Sequence, residues 1–168
     1  MAVFTPTLIV HNVLDLTPSL LRRMGIEALV LDVDNTLTTH GSQTPLDGVL
    51  DWLDLMKREG FLLTISSNNT QKRVEPFARS LGLDYVCMSC KPFPVGLSKA
   101  IKKFGLQKEK VAIVGDQIYT DIIGGNLKGI TTILVAPIRL EEGFFFRLKR
   151  RLEKPWVRRY YNKKRKED

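Results

Sequence analysis

Residues 28–38 read Ala-Leu-Val-Leu-Asp-Val-Asp-Asn-Thr-Leu-Thr, and the rest of the chain is organised around them. Four apolar residues run straight into Asp32 and Asp34, with Asn35 and Thr36 behind them. A short continuous apolar run marks a strand buried on both faces, as in a parallel sheet. Two carboxylates one residue apart at its end repel, and each raises the other's pKa. A hard divalent cation such as Mg²⁺ prefers carboxylate and carbonyl oxygens and removes that cost. The bland alternative is a solvated Asx turn after a strand. The remaining chain decides between the two.

At 168 residues, one domain with a real core is expected. An apolar fraction of 43% suits a soluble globular protein. No apolar run approaches the ~20 residues needed to span a bilayer, so no integral membrane segment is expected. The first residues lack a basic stretch followed by an apolar one, which argues against a secretory signal. Two cysteines, Cys87 and Cys90, cannot build a disulfide framework, so a reducing, cytoplasmic setting is expected. The net charge of +8 is unevenly placed. Residues 147–168 carry 11 Lys/Arg and 3 Asp/Glu, whereas residues 1–146 carry 15 of each. The chain therefore divides into a balanced domain, residues 1–140, and a basic, aromatic C-terminal tail, residues 141–168.

The N-terminal residues, to Val13, read as an extended arm or edge strand. Thr17-Pro18 is a helix cap followed by proline at the first helical position. Thr44-Pro45-Leu46-Asp47 reads as a second helix start, running to Gly60. Apolar strands are predicted at 61–65, 85–88, 111–114 and 131–135, with helices between them. Pro76 falls inside one helix, and Thr120 is placed as the cap of another. Strands alternating with helices predict a three-layer α/β domain around a mainly parallel sheet of about five strands.

The strand ends share a property. The first four stop at Asp32 and Asp34, at Ser67 and Asn68, at Lys91, and at Asp116 with Asp121 behind it. Ligands of open α/β sheets bind at the carboxyl ends of the strands, so these residues are expected in one crevice. Carboxylates, a hydroxyl and a lysine suit a metal and an anion, and hence phosphoryl transfer.

The ordered set Asp32-Val33-Asp34-Asn35-Thr36, Ser67, Lys91-Pro92, and Gly115-Asp116 with Asp121 resembles the four motifs of the haloacid dehalogenase phosphohydrolase superfamily. The match covers roughly residues 29–136, and its wording is similar to the YqeG-like branch, related to phosphatidylglycerophosphatases. The resemblance implies a capless Rossmann-like domain. It makes Asp32 the nucleophile, forming an aspartyl-phosphate. Asp34 would protonate the leaving alcohol and then activate water. Asp32, the backbone carbonyl of Asp34, and Asp116 would hold Mg²⁺, with Asp121 supporting the metal or Lys91. Ser67, preferred to Ser66, and Lys91 would hold the phosphoryl oxygens, with Asn35 and Asn68 assigned to substrate.

Caps in this superfamily enter after the first motif or between the second and third, and neither gap has room for one. An open site suits a phosphate on something large. In the tail, Phe144–Phe146, Trp156, Tyr160 and Tyr161 stand among Arg and Lys, a composition fit for an anionic membrane surface. Packing on the domain and nucleic-acid binding are the competing readings. Pro155 predicts a short helix followed by an extended basic end.

These readings converge on a Mg²⁺-dependent phosphomonoester hydrolase acting on phosphatidylglycerophosphate at the inner membrane face. The alternatives are a soluble metabolite, a phosphoprotein or a nucleic-acid end as substrate. A ribosome- or RNA-binding module and a phospho-receiver are the non-hydrolase readings. Cys87-Met88-Ser89-Cys90 is read as strand-end packing rather than a zinc or redox pair. Trp52 is assigned to the core, and His40 is kept as a secondary lining residue of the site.

Overall fold

The computed structural model describes residues 3–139 and 144–166, excepting the side chains of 144–146. Six strands form one sheet: β1 Leu8–Val10, β2 Ala28–Leu31, β3 Leu62–Ser66, β4 Asp84–Val86, β5 Val111–Gly115 and β6 Thr131–Val135. Their order is β1-β6-β5-β2-β3-β4, and every pairing is parallel. The sheet thus has six strands where about five were expected. The sixth is the N-terminal arm, which takes the edge position that was one of its two readings, beside β6.

Central β2 explains why its sequence is apolar throughout. Leu29 and Leu31 face a core with Trp52, Leu53, Met56 and Phe77. Ala28 and Val30 face another with Leu97, Ala100 and Ile101. Successive side chains alternate across the sheet, so a strand covered on both faces has no polar position. The first face is covered by α1 Pro18–Arg23, α2 Val49–Arg58 and α3 Gln71–Ser80. The second is covered by α4 Pro94–Phe104, beside α5 Ile123–Lys128.

Local chemistry sets the helix boundaries. The Thr17 hydroxyl accepts from the Leu20 N–H, and Pro18 opens α1. The expected start of α2 at Thr44-Pro45 is corrected. The helix begins at Val49 behind Gly48, whose φ of 83° needs a residue without a Cβ. Pro76 lies within α3. Thr120 does not cap a helix, because a wide π-type turn over Ile118–Ile122 already contains it and leads into α5. Such turns are rare and concentrate at functional sites. Trp52 is in the core as expected, its indole N–H donating to the Leu16 carbonyl at 2.9 Å. Cys87 is half-buried, but Cys90 is exposed at a φ of 56°, so strand-end packing does not hold for it.

The C-terminal segment is also corrected. It is one helix, α6 Phe144–Lys164, that continues through Pro155. A proline inside a helix costs about 3 kcal/mol, so contacts on both sides of it must offset that. Pro155 itself is exposed, whereas Glu153, Trp156, Val157 and Tyr160 form a stripe turned to the domain. Trp156 stacks on Phe4 with ring centroids 4.5 Å apart. The Tyr160 hydroxyl accepts from the Ile9 N–H at 3.3 Å and so covers the outer edge of β1. The expected boundary between residues 140 and 141, and the Phe144–Phe146 side chains, lie outside the described residues.

Candidate active site

Register brings the motifs together. Leu31 lies opposite Ile65 on one side and Val114 on the other. The residues that follow, Asp32, Ser66-Ser67 and Gly115-Asp116, therefore emerge at one end of the sheet. Lys91 joins them from the turn after β4, through a cis Lys91–Pro92 peptide.

Lys91 is the hub. Its buried ammonium donates to Asp32 Oδ1 at 2.7 Å, to Asp121 Oδ1 at 2.6 Å, and to the Ser66 carbonyl at 2.7 Å. Burial alone would pull its pKa down, but the Asp121 and Asp32 carboxylates outweigh that and hold it above the usual lysine range. Gly115 makes this approach possible. A Cβ there would stand 2.3 Å from Asp121 Cγ, so the Gly-Asp pair gives backbone room for the Asp121 side chain.

Asp32, Asp116 and Asp121 present carboxylate oxygens within 4.8 Å of one another. Burial pushes Asp32 up to about 7 against the pull of Lys91, with Asp121 adding to the rise. Burial likewise pushes Asp116 up to about 8, against the pull of Arg150. Asp116 Oδ1 is buried with no hydrogen-bond partner. Clustered carboxylates with an orphaned oxygen fit a hard divalent cation.

The Asp34 carboxylate lies outside that cluster. It accepts from the Gly41 N–H at 2.8 Å, Asn69 Nδ2 at 2.7 Å and Arg73 Nη2 at 2.8 Å. Three donors from two loops and α3 fix its direction. Ser67 lines the cleft, while the Ser66 hydroxyl is wholly buried. Asn68 lines the cleft and also braces the turn beside it. Its side-chain oxygen accepts from the Lys91 N–H and the Ser89 hydroxyl, and its amide donates to the Lys91 carbonyl. It thus holds the turn that delivers the lysine. The Asn35 side chain accepts from the Arg139 N–H at 3.4 Å, and its amide nitrogen is buried without a partner.

The cleft between these groups is about 90 Å³, lined by Asp32, Asp34, His40, Ser67, Asn69, Lys91, Gln117 and Thr120 among others. It is the size of a phosphoryl group rather than of a metabolite.

Sequence reading missed the contributions of Arg73, Asn69 and α6. Arg150 donates to the Asp116 carboxylate, to the Asp116 carbonyl at 2.5 Å and to Glu153 at 2.9 Å. Glu153 in turn accepts from the Ile118 N–H at 2.8 Å, and Lys149 bonds the Gln117 side chain. The Tyr119 hydroxyl donates to the Leu152 carbonyl at 3.1 Å. The helix therefore fastens the loop that carries Asp116. Only the run Ser-Ser-Asn-Asn pointed toward Asn69, and no motif marks Arg73 or Arg150.

A buried lysine bridging aspartates over a phosphate-sized cleft, at the carboxyl end of a parallel sheet, defines a class of enzymes that work on phosphoryl groups. The sequence matches the haloacid dehalogenase-like hydrolase family over residues 14–135, and the chain belongs to that family. It is a phosphatase. It is 34% identical over 151 residues to the probable phosphatase YqeG of Bacillus subtilis, covering 90% of this chain and 88% of that one. It is 29% identical over 154 residues to phosphatidylglycerophosphate phosphatase 1 of Arabidopsis thaliana. That similarity covers 85% of this chain but only 44% of the plant protein. The fold is shared with a 4-nitrophenylphosphatase of Thermotoga maritima, at a TM-score of 0.57 and 17% identity, covering 77% of this chain and 90% of that one.

Proposed function

We propose that the protein is a Mg²⁺-dependent phosphomonoesterase that works through an aspartyl-phosphate and acts on phosphatidylglycerophosphate. The observation that carries the chemistry is the Asp32–Lys91–Asp121 ion triad beside Asp116. Lys91 holds Asp32 Oδ1, which orients the other oxygen toward phosphorus. Asp32 attacks, the bond from phosphorus to the leaving alcohol breaks, and Asp34 gives that alcohol its proton. Water then attacks the phosphoryl group, Asp34 takes the proton, and Asp32 is released with phosphate. Asp34 is aimed for both steps by Arg73, Asn69 and the Gly41 N–H. Ser67 and Lys91 hold phosphoryl oxygens, and Asn68 is a positioning residue that fixes the Lys91 turn. Mg²⁺ held by Asp32, Asp116 and the Asp34 carbonyl, with Asp121 behind, would supply charge neutralisation at the phosphoryl oxygens.

Two features support the lipid. Between β2 and β3 stands α2, and between β3 and β4 stands α3, so the site opens outward. Away from the domain, α6 carries Arg147 and Arg159 with exposed Leu148 and Leu152 on one face. Cations with apolar groups on one face suit an anionic bilayer surface, at about 1 kcal/mol per cation near it. Among the described residues no helix is long and apolar enough to cross a membrane. The similarity to the Arabidopsis enzyme points the same way. Phosphate release from phosphatidylglycerophosphate in mixed micelles is expected at least about tenfold faster than from sugar and nucleotide phosphates, a difference of about 1.4 kcal/mol. Equal rates across that panel would remove the lipid and leave the chemistry.

The metal has its own test. Asp32 and Asp116 bind protons more tightly in the folded chain than in the unfolded one. The stability they contribute is complete below their unfolded value and is lost as pH rises through about 7 to 8. A bound cation replaces those protons. Mg²⁺ at about 10 mM is expected to raise the melting temperature by at least about 3 °C near pH 8 and by under about 1 °C near pH 5. An equal increment at both values, by thermal denaturation, would place Mg²⁺ away from these carboxylates.

A further inference from the structure

Beside the phosphoryl cleft lies a much larger groove, about 1010 Å³, between α6 and the carboxyl ends of β1 and β6. The two adjoin across one short loop: Gln117 lines the cleft, while its neighbours Asp116 and Ile118 line the groove. A substrate whose phosphoryl group fills the cleft can therefore extend past this loop.

The groove has two distinct walls. The sheet side is mainly aliphatic, with the Ile9 and Leu134 side chains, Ala136 and Pro137 after β6, and His11 beside them. The helix side carries Arg151, Lys154 and Arg158, whose three- and four-residue spacing makes one stripe. Arg150 pairs with both acids of the groove, Asp116 and Glu153, and the stripe makes no ion pair with either. An apolar wall facing a cationic one complements an amphiphile with an anionic group next to its apolar chain. A sugar phosphate has no use for the aliphatic wall. A nucleic acid would call for a row of stacking rings, whereas the rings lining the groove are those of His11 and Tyr161, set among aliphatic side chains.

We propose that this groove binds the non-reacting phosphodiester and the adjoining acyl segment of an anionic glycerophospholipid. The assignment rests on the lipid phosphatase reading above and gives it a location. The phosphodiester carries one negative charge and sits against the Arg151–Arg158 stripe. The first acyl carbons lie on the β1 and β6 side, and the Tyr161 ring lines the groove with them.

The test compares three substrates in the full chain: phosphatidylglycerophosphate in mixed micelles, its deacylated glycerophosphodiester analogue, and p-nitrophenyl phosphate. In Arg151→Glu/Arg158→Glu protein, kcat/KM for the first two is expected to fall at least about tenfold relative to p-nitrophenyl phosphate, about 1.4 kcal/mol of differential binding. Tyr161→Gln lowers the ratio for the lipid but not for its deacylated analogue. Two reversals on exposed α4, Lys99→Glu/Lys102→Glu, control for net charge and leave both ratios in place. If the parent protein cleaves p-nitrophenyl phosphate and not the lipid, the lipid reading itself falls. If the parent cleaves the lipid and the reversals leave the ratio intact, the groove assignment falls alone. Loss of self-association or of oligonucleotide binding in the reversed protein, with the ratio intact, would give the groove to a second copy or to nucleic acid instead.

Discussion

Asp32→Asn protein is expected to release phosphate from p-nitrophenyl phosphate at least about 10⁴-fold more slowly than the parent chain, because an amide oxygen cannot form the acyl phosphate. The substitution is nearly isosteric and keeps an acceptor for Lys91, which retains its 2.6 Å contact with Asp121. It also removes a carboxylate that burial already pushes up to about 7. The fold therefore survives, and the melting temperature near pH 8 without metal is not lowered. That pairing of a dead enzyme with an intact fold separates the nucleophile from a merely structural aspartate. Turnover within about tenfold of the parent, in protein freed of contaminating phosphatases, would assign the attack to another group.

Lys91→Ala gives the opposite pairing, with both activity and stability lost. The ammonium is the shared partner of two carboxylates, with side-chain exposures of 2% for Lys91, 12% for Asp32 and 1% for Asp121. Removing one member of a buried ion cluster leaves uncompensated charge, which costs about 3–5 kcal/mol. Urea denaturation near pH 8 should show that loss, and phosphate release should fall with it. Lowering the pH towards 5 recovers part of the stability, because the orphaned carboxylates take up protons. A stable Lys91→Ala protein near pH 8 would mean that the triad is not formed.

Much of this was readable from residues 28–38 alone. The four-residue strand, its burial on both faces and the position of Asp32 at its end follow from sheet periodicity and need no tertiary information. The same holds for Thr17-Pro18, where a side-chain cap and a proline act within one turn. The misreadings fall where distant partners override local preference. Pro155 should end a helix, but Glu153, Trp156 and Tyr160 find the domain on either side of it and carry the helix through. Thr44-Pro45 has the chemistry of a helix start, yet the Leu46 N–H is held by the Leu37 carbonyl at 3.0 Å, and the helix waits for Gly48. Arg73 and Arg150 were invisible for a related reason. An arginine in a helix has no local signal to separate a solvated charge from one that reaches a carboxylate far away in the chain.

The strand order has a consequence for how the molecule comes into being. Of the six strands the first to be made, Leu8–Val10, lies at the rim of the sheet, and its neighbour there is the last of the six, Thr131–Val135. On a ribosome it has nothing to join until more than a hundred further residues have been translated. Until then the rim at Val111–Gly115 is bare, and bare rims are where nascent chains adhere to one another. Closure comes late, when Leu8–Val10 meets Thr131–Val135, and Tyr160 seals it against Ile9.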